Sequence, residues 1–354
     1  MSTQVFNYHH PFKLASGITL PQYHLAYTTL GKLNAAKDNV VWIFHGFTAN
    51  SSPQEWWPGL VGEGKLFDPQ KHFIICVNKP GSPYGSISPL SINPETQQPY
   101  YQDFPVFTIH DMVKAYQHLK DHLGLKKILV GLGGSTGGMQ LLEWAIEEPE
   151  LFEHIVPIAT NAALSPWAIA FNASQRLAIE ADSTWQDRRP DAGAKGLAAA
   201  RSIALLSYRH YNGYDLTQPR DKSFVPLSPE SLFAADNYQR YQGLKLVNRF
   251  NALCYYRLSQ SMDSHDVSIG RGSVEKALKK IKAKTLVIGI RSDVLYPIAE
   301  QEYLQQTIPG ASLLAIASDF GHDGFLLEYE KIEPVLRKFI EDKSFHHHLK
   351  VVNQ

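Results

Sequence analysis

The sequence predicts an α/β protein: a mostly parallel, doubly wound sheet interrupted by a helical insertion. Three observations carry this. Six short apolar runs recur along the chain, segments of helical period lie between them, and one long stretch late in the chain has no such run. Continuous apolar runs are the mark of strands covered on both faces. Their alternation with helices places them in a doubly wound sheet.

The runs, in order, are residues 39–44 (NVVWIF), 72–78 (HFIICVN), 127–131 (KILVG), 154–159 (HIVPIA), 285–290 (TLVIGI) and 312–317 (SLLAIA). Before the third run, Thr108 and Asp111 have the spacing of a capping box. Ile109, Met112, Val113, Tyr116 and Leu119 then follow at helical spacing, and Gly124 ends the helix. A second helix, residues 139–146 (MQLLEWAI), follows the glycine-rich turn after the third run. From 162 to 271 the chain is rich in helix formers and aromatics, with no buried strand, and reads as a helical lid over the sheet. The core is then 1–161 plus 272–354. A length of 354 residues suits one large domain with an insertion as well as it suits two domains.

Lys+Arg and Asp+Glu are both 34, and no basic run is present, so neither nucleic acid nor an anionic membrane is an expected partner. A local basic pocket for a phosphate-bearing ligand stays compatible with that balance. Cys76 and Cys254 are too few for a disulfide framework and read as reduced, structural thiols. The first 20 residues lack a signal-peptide apolar region, and no 18-residue apolar stretch exists, so a cytoplasmic location is expected. The run His346–His348 reads as a solvated tail. With neither His-Glu-x-x-His nor Cys-x-x-Cys in the chain, no metal site is expected.

The residues that carry chemistry centre on Gly131-Leu-Gly-Gly-Ser135-Thr-Gly-Gly138. Gly133, Ser135 and Gly137 make Gly-x-Ser-x-Gly between a strand and a helix, the setting of a nucleophile elbow. A sharp turn there exposes the serine hydroxyl, and small neighbours let the backbone pass closely. The following helix N-terminus turns free N–H groups toward developing negative charge. A glycine-rich phosphate loop is the alternative, but the Gly-Lys-Ser/Thr ending it needs is absent. Nucleophile, acid and base follow one another in that chain order in the α/β-hydrolase fold. Asp293 follows the fifth run and His322 the sixth, which nominates a Ser135–Asp293–His322 triad. The backbone N–H of Thr136 is one expected oxyanion donor. The second is assigned to Phe47 in the loop His45-Gly-Phe-Thr-Ala-Asn50, for which a plain strand-end turn is the alternative.

With these residues in place, the chain resembles the homoserine O-acetyltransferase family over about residues 15 to 340. The likeness rests on GEGKLFDPQKHFIICVN, YGSISPLSINPET, DFPVFTIHDMV, GGSTGGMQLLEWA, SPWAIAFNASQRLAI, YQGLKLVNRF, SDVLYP and GHDGFLLE. The resemblance implies ping-pong acyl transfer from acetyl-CoA, a co-substrate rather than a bound cofactor, to an amino-acid alcohol, as a step of methionine biosynthesis. It implies that Arg201 and Asp323 hold the amino acid, with Arg209 a nearby competitor for the arginine role, and a homodimer formed through the lid. A succinyl donor, serine as acceptor, or an esterase or thioesterase of the same fold are the alternatives. The chain departs from the family's usual pattern at Thr136, commonly methionine, in NKPGSPYGS, commonly a Leu-Gly-Gly run, and at Asn251, commonly an acid.

Overall fold

A computed structural model describes residues 3–220, 229 and 231–342; the histidines at 346–348 lie outside the described residues. Eight strands form the central sheet: β1 (Gln4–Tyr8), β2 (Tyr23–Leu30), β3 (Val40–Phe44), β4 (Phe73–Val77), β5 (Ile128–Gly134), β6 (Phe152–Ile158), β7 (Lys284–Ile290) and β8 (Ser312–Ile316). They lie in the order β1-β2-β4-β3-β5-β6-β7-β8. β1 and β2 are antiparallel to their neighbours; every pairing from β4 to β8 is parallel.

The six anticipated runs are the six parallel strands, and the reason is visible in β3. Val40, Trp42 and Phe44 enter one apolar cluster while Val41 and Ile43 enter another on the opposite face. A strand buried on both sides has no polar face to break its run. The antiparallel strands went unanticipated because they lack this. β1 is an edge strand with Val5 exposed, and β2 places Thr28 and Thr29 in side-chain hydrogen bonds with Ser51 and Gln4. β5 runs three residues past its expected end, through Leu132-Gly-Gly134, where glycine conceals the strand from a hydrophobicity reading.

Helix α1 (Ile109–His122) begins at the anticipated capping box: Asp111 N–H donates to Thr108 Oγ1 at 3.1 Å and Thr108 N–H to Asp111 Oδ2 at 2.9 Å. Helix α2 (Thr136–Glu147) follows β5 directly and is buried along nearly its whole length. Within 162–271 the described residues form five further helices: α3 (Pro166–Glu180), α4 (Ala194–Tyr208), α5 (Tyr211–Thr217), α6 (Ala234–Val247) and α7 (Ala252–Asp263); one more short helix, Val274–Leu278, precedes β7. The two ends of this segment meet in an antiparallel bridge, Leu164 N–H to His265 O at 2.8 Å and Val267 N–H to Ala162 O at 3.0 Å. Such a neck lets the helices fold as a cap without disturbing the sheet register. Helices α8 (Ile298–Thr307) and α9 (Tyr329–Glu341) complete the layers. Cys76 and Cys254 are unpaired and buried. No described helix is long and apolar enough to cross a membrane.

Candidate active site

Ser135 sits at the junction of β5 and α2 with φ 57° and ψ −125°, a strained backbone for a residue with a Cβ. Its amide donates to Ile158 O at 2.9 Å, and its carbonyl accepts from Thr160 Oγ1 at 2.9 Å. These bonds hold the turn. Ser135 occupies the N-cap position of α2, yet its side chain makes no capping bond, so the hydroxyl is left for other work. The flanking glycines are required by packing. A Cβ on Gly133 would lie 2.5 Å from the Gly137 carbonyl, and one on Gly137 would lie 2.1 Å from Phe44 O.

Asp293 lies in the loop after β7, almost wholly buried. Its Oδ1 accepts the N–H groups of Leu295 at 2.8 Å and Tyr296 at 2.9 Å. Its Oδ2 stands 2.6 Å from His322 Nδ1. A carboxylate only accepts, so Nδ1 carries the proton and Nε2 is left as a base. His322 is in the short helical turn Gly321–Asp323 after β8. Gly321 has φ 62°, and a Cβ there would strike the Arg209 and His210 backbone of the cap. Burial pushes the His322 imidazole down, but the charge and hydrogen bond of Asp293, joined by the charge of Asp323, outweigh it and hold it above the ordinary histidine value. Tyr208, Tyr296 and Phe325 pack around the ring.

Ser135 and His322 open into one cavity of about 630 Å³, lined also by Gly46, Phe47, Arg201, Tyr208 and Asp323. Among the described residues, no backbone acceptor takes the N–H of Phe47, which comes from the loop after β3. Thr136, at the first turn of α2, sends its hydroxyl to Met262 Sδ of α7 at 3.1 Å. The two arginines separate in role. Arg209 pairs with Asp323, Nη1 to Oδ2 at 3.0 Å, and also donates to Tyr238. Arg201 has no carboxylate partner among the described residues; its guanidinium lies 5.5 Å from the centre of the Tyr208 ring. Asn251 caps α7, its side chain accepting Cys254 N–H at 3.2 Å, a task that aspartate and asparagine perform alike.

Sequence reasoning missed several cavity neighbours. Tyr296 packs on the His322 ring, centroids 5.2 Å apart, and Lys245, Arg249 and Tyr84 line the cavity. Lys79, buried beneath the Phe47 loop, was missed as well. They lie in segments already singled out, Tyr296 only three residues after Asp293, but no local pattern tells which of their side chains meet the site, because that depends on how distant segments pack. Away from the cavity, His110, Glu143 and Glu147 have the donor types of a metal site. Arg271 bridges both glutamates and Lys114 pairs with Glu147, which makes the cluster a charge-balanced ion-pair network.

Residues 39–329 match the model of the alpha/beta hydrolase fold family. Over 344 residues, 96% of this chain and 95% of the relative, the sequence is 46% identical to a homoserine O-acetyltransferase from Cyclobacterium marinum. The chain belongs to the homoserine O-acetyltransferase family. Among solved structures it resembles the homoserine O-acetyltransferase of Bacillus anthracis, with a TM-score of 0.88 and 25% identity over 98% of this chain and 99% of that one. An acetylester hydrolase from Corynebacterium glutamicum is similar at a TM-score of 0.84 and 25% identity, covering 96% of each chain. The same architecture thus occurs in a protein named for acetyl transfer and in one named for ester hydrolysis.

Proposed function

We propose that the protein is an acyl-CoA-dependent O-acyltransferase that moves an acetyl group from acetyl-CoA to the hydroxyl of L-homoserine, a step of methionine biosynthesis. The observation that carries the reading is that Ser135, His322 with Asp293 behind it, and Arg201, which has no carboxylate partner among the described residues, meet at one cavity in a chain of this family.

In this reading His322 Nε2 takes the Ser135 proton as Oγ attacks the thioester carbonyl. The oxyanion forms against the N–H groups of Phe47 and Thr136. Collapse expels CoA, which leaves with the proton held by His322, and Ser135 carries the acetyl ester. Homoserine's hydroxyl then loses its proton to His322 and attacks that ester; collapse returns the proton to Ser135 and frees O-acetylhomoserine. Asp293 fixes the imidazole tautomer and offsets its charge in both halves. Arg201 supplies a fork for the α-carboxylate, and Asp323, steadied by Arg209, faces the α-ammonium. No resident cofactor takes part.

The core at 1–161 and 272–354 carries this chemistry together with Asp323, and the lid at 162–271 contributes Arg201 to the acceptor site. Tyr211, Leu216 and Leu232 of the lid are 78%, 69% and 73% exposed, apolar surface that supports dimer formation through the lid, and the biosynthetic role suits the cytoplasm.

The deciding experiment is CoA release from acetyl-CoA with and without homoserine. Strong dependence on homoserine, with O-acetylhomoserine as product, supports the transferase. Homoserine-independent release supports the esterase reading, which the similarity to an acetylester hydrolase favours. Release only with succinyl-CoA or with serine reassigns donor or acceptor.

A further inference from the structure

The loop that carries Phe47 is held from behind by one side chain. Lys79 Nζ donates to His45 O at 2.9 Å and to Gly46 O at 2.6 Å. Lys79 and His45 are each 1% exposed. The Lys79 amide also donates to His45 Nε2 at 3.3 Å. That makes Nε2 an acceptor and leaves the proton on Nδ1, which donates to Gly46 O at 2.9 Å. The Gly46 carbonyl thus receives two donors.

A trans peptide points its N–H opposite its C=O, and no described peptide bond is cis. With Gly46 O drawn toward Lys79, the N–H of Phe47 in the same peptide points away from Lys79. Gly46 and Phe47 line the cavity that Ser135 enters.

We propose that Lys79 is the positioning residue of the oxyanion loop: its buried amino group clamps the His45 and Gly46 carbonyls so that the Phe47 N–H stays aimed at the acyl carbonyl, and when protonated it adds positive charge behind the forming oxyanion. This rests on the acyl-enzyme reading above. A buried amine bonded only to neutral carbonyls is costly to keep charged, and a methionine would fill the same space without that cost. The titratable groups facing it are Cys76 on β4 and His45 after β3. Burial pushes the Cys76 thiol up, and burial together with Lys79 pushes His45 well down, so both stay neutral and neither supplies a counter-charge. Burial accordingly pushes the Lys79 amine down to about 7. It is charged below that pH and neutral above it, so its electrostatic help fades as pH rises. His322 runs the other way, because it must be neutral to act as a base.

The test is the rate of the first CoA release after mixing protein with acetyl-CoA alone, followed across pH for wild type, Lys79→Met and Lys79→Gln. The expected result is an alkaline decline in wild type and acylation about 10- to 100-fold slower in Lys79→Met, with half-saturation by the donor unchanged. Lys79→Met should show no alkaline decline, and Lys79→Gln should recover part of the rate, still without it. Wild-type rates in Lys79→Met, or a slowing that leaves the alkaline limb in place, would overturn the proposal. If Lys79→Met does not fold, the wild-type profile decides: a rate that stays flat from neutral to about pH 9 overturns it. No CoA release by wild type from any acyl donor would instead remove the acyl-enzyme reading, and the clamp with it.

Discussion

Arg209 Nη1 lies 3.0 Å from Asp323 Oδ2, and this ion pair takes one of two neighbouring arginines out of contention for the substrate carboxylate. Arg201 lies midway along α4 and Arg209 is its C-cap, about two turns further on. Arg209 is spent on steadying Asp323 beside the His322 ring, while Arg201 faces the cavity from a perch on Tyr208. A guanidinium with no carboxylate partner among the described residues, in a cavity of about 630 Å³, is where an amino acid's carboxylate would bind in the proposed reaction.

Replacing that guanidinium should therefore separate the two substrates. Arg201→Ala is expected to raise the acceptor KM about 10- to 100-fold, the worth of a charge-assisted hydrogen-bonded pair, and to change the donor KM little. Steady-state kinetics varying each substrate in turn will check it. Equal effects on both would make Arg201 a structural residue.

Ser135→Ala should stop acyl-enzyme formation, with kcat falling on the order of 10⁴-fold or more. The hydroxyl makes no capping bond, so thermal stability should hold or improve slightly. Intact-mass measurement after mixing with acetyl-CoA reads the acetyl adduct directly, and an adduct on the alanine variant would place the nucleophile elsewhere.

The pH dependence carries a sign that Asp323 can test. Asp323 helps to hold His322 above its ordinary value. Acylation needs neutral His322, so its rate should rise with pH through that raised value. Asp323→Asn removes one negative charge and leaves Arg209 unpaired nearby, and both changes favour the neutral imidazole. The acidic limb should move to lower pH. Measuring acylation without acceptor keeps any loss of homoserine binding out of the result, and an unmoved or upward-shifted limb would contradict the electrostatic assignment.

Stability should respond sharply at the elbow. A Cβ on Gly137 would lie 2.1 Å from Phe44 O, so Gly137→Ala must push α2 away from β3. The expected cost is about 1–3 kcal/mol or more. A lower urea midpoint at unchanged slope will reveal it. A loss under about 0.5 kcal/mol would mean that the turn relaxes freely.

Much of this protein was legible because the relevant physics is local. The run NVVWIF is unbroken because both faces of that strand meet core, so burial is written into consecutive residues. Ser135 could be found because a strained turn between strand and helix demands small neighbours within two positions. Asp293 and His322 could be nominated because chain order ties each to the end of a recognisable strand. The first two strands escaped because an edge strand alternates, and Thr28 and Thr29 are satisfied by partners that composition does not reveal.

The sequence by itself determined the parallel core, the elbow and the order of Ser135, Asp293 and His322, since strand burial, turn sterics and loop position act over a few residues. Only the tertiary structure decided that Asp323 belongs to Arg209, that Arg201 faces the cavity, that Tyr296 packs on the His322 ring and that Lys79 grips the loop before Phe47. The clamp and the ion pair join residues 33 and more than 100 positions apart. Which side chain meets which across such a gap depends on how the cap seats on the sheet and how neighbouring strands align, and neither leaves a repeating pattern in the chain.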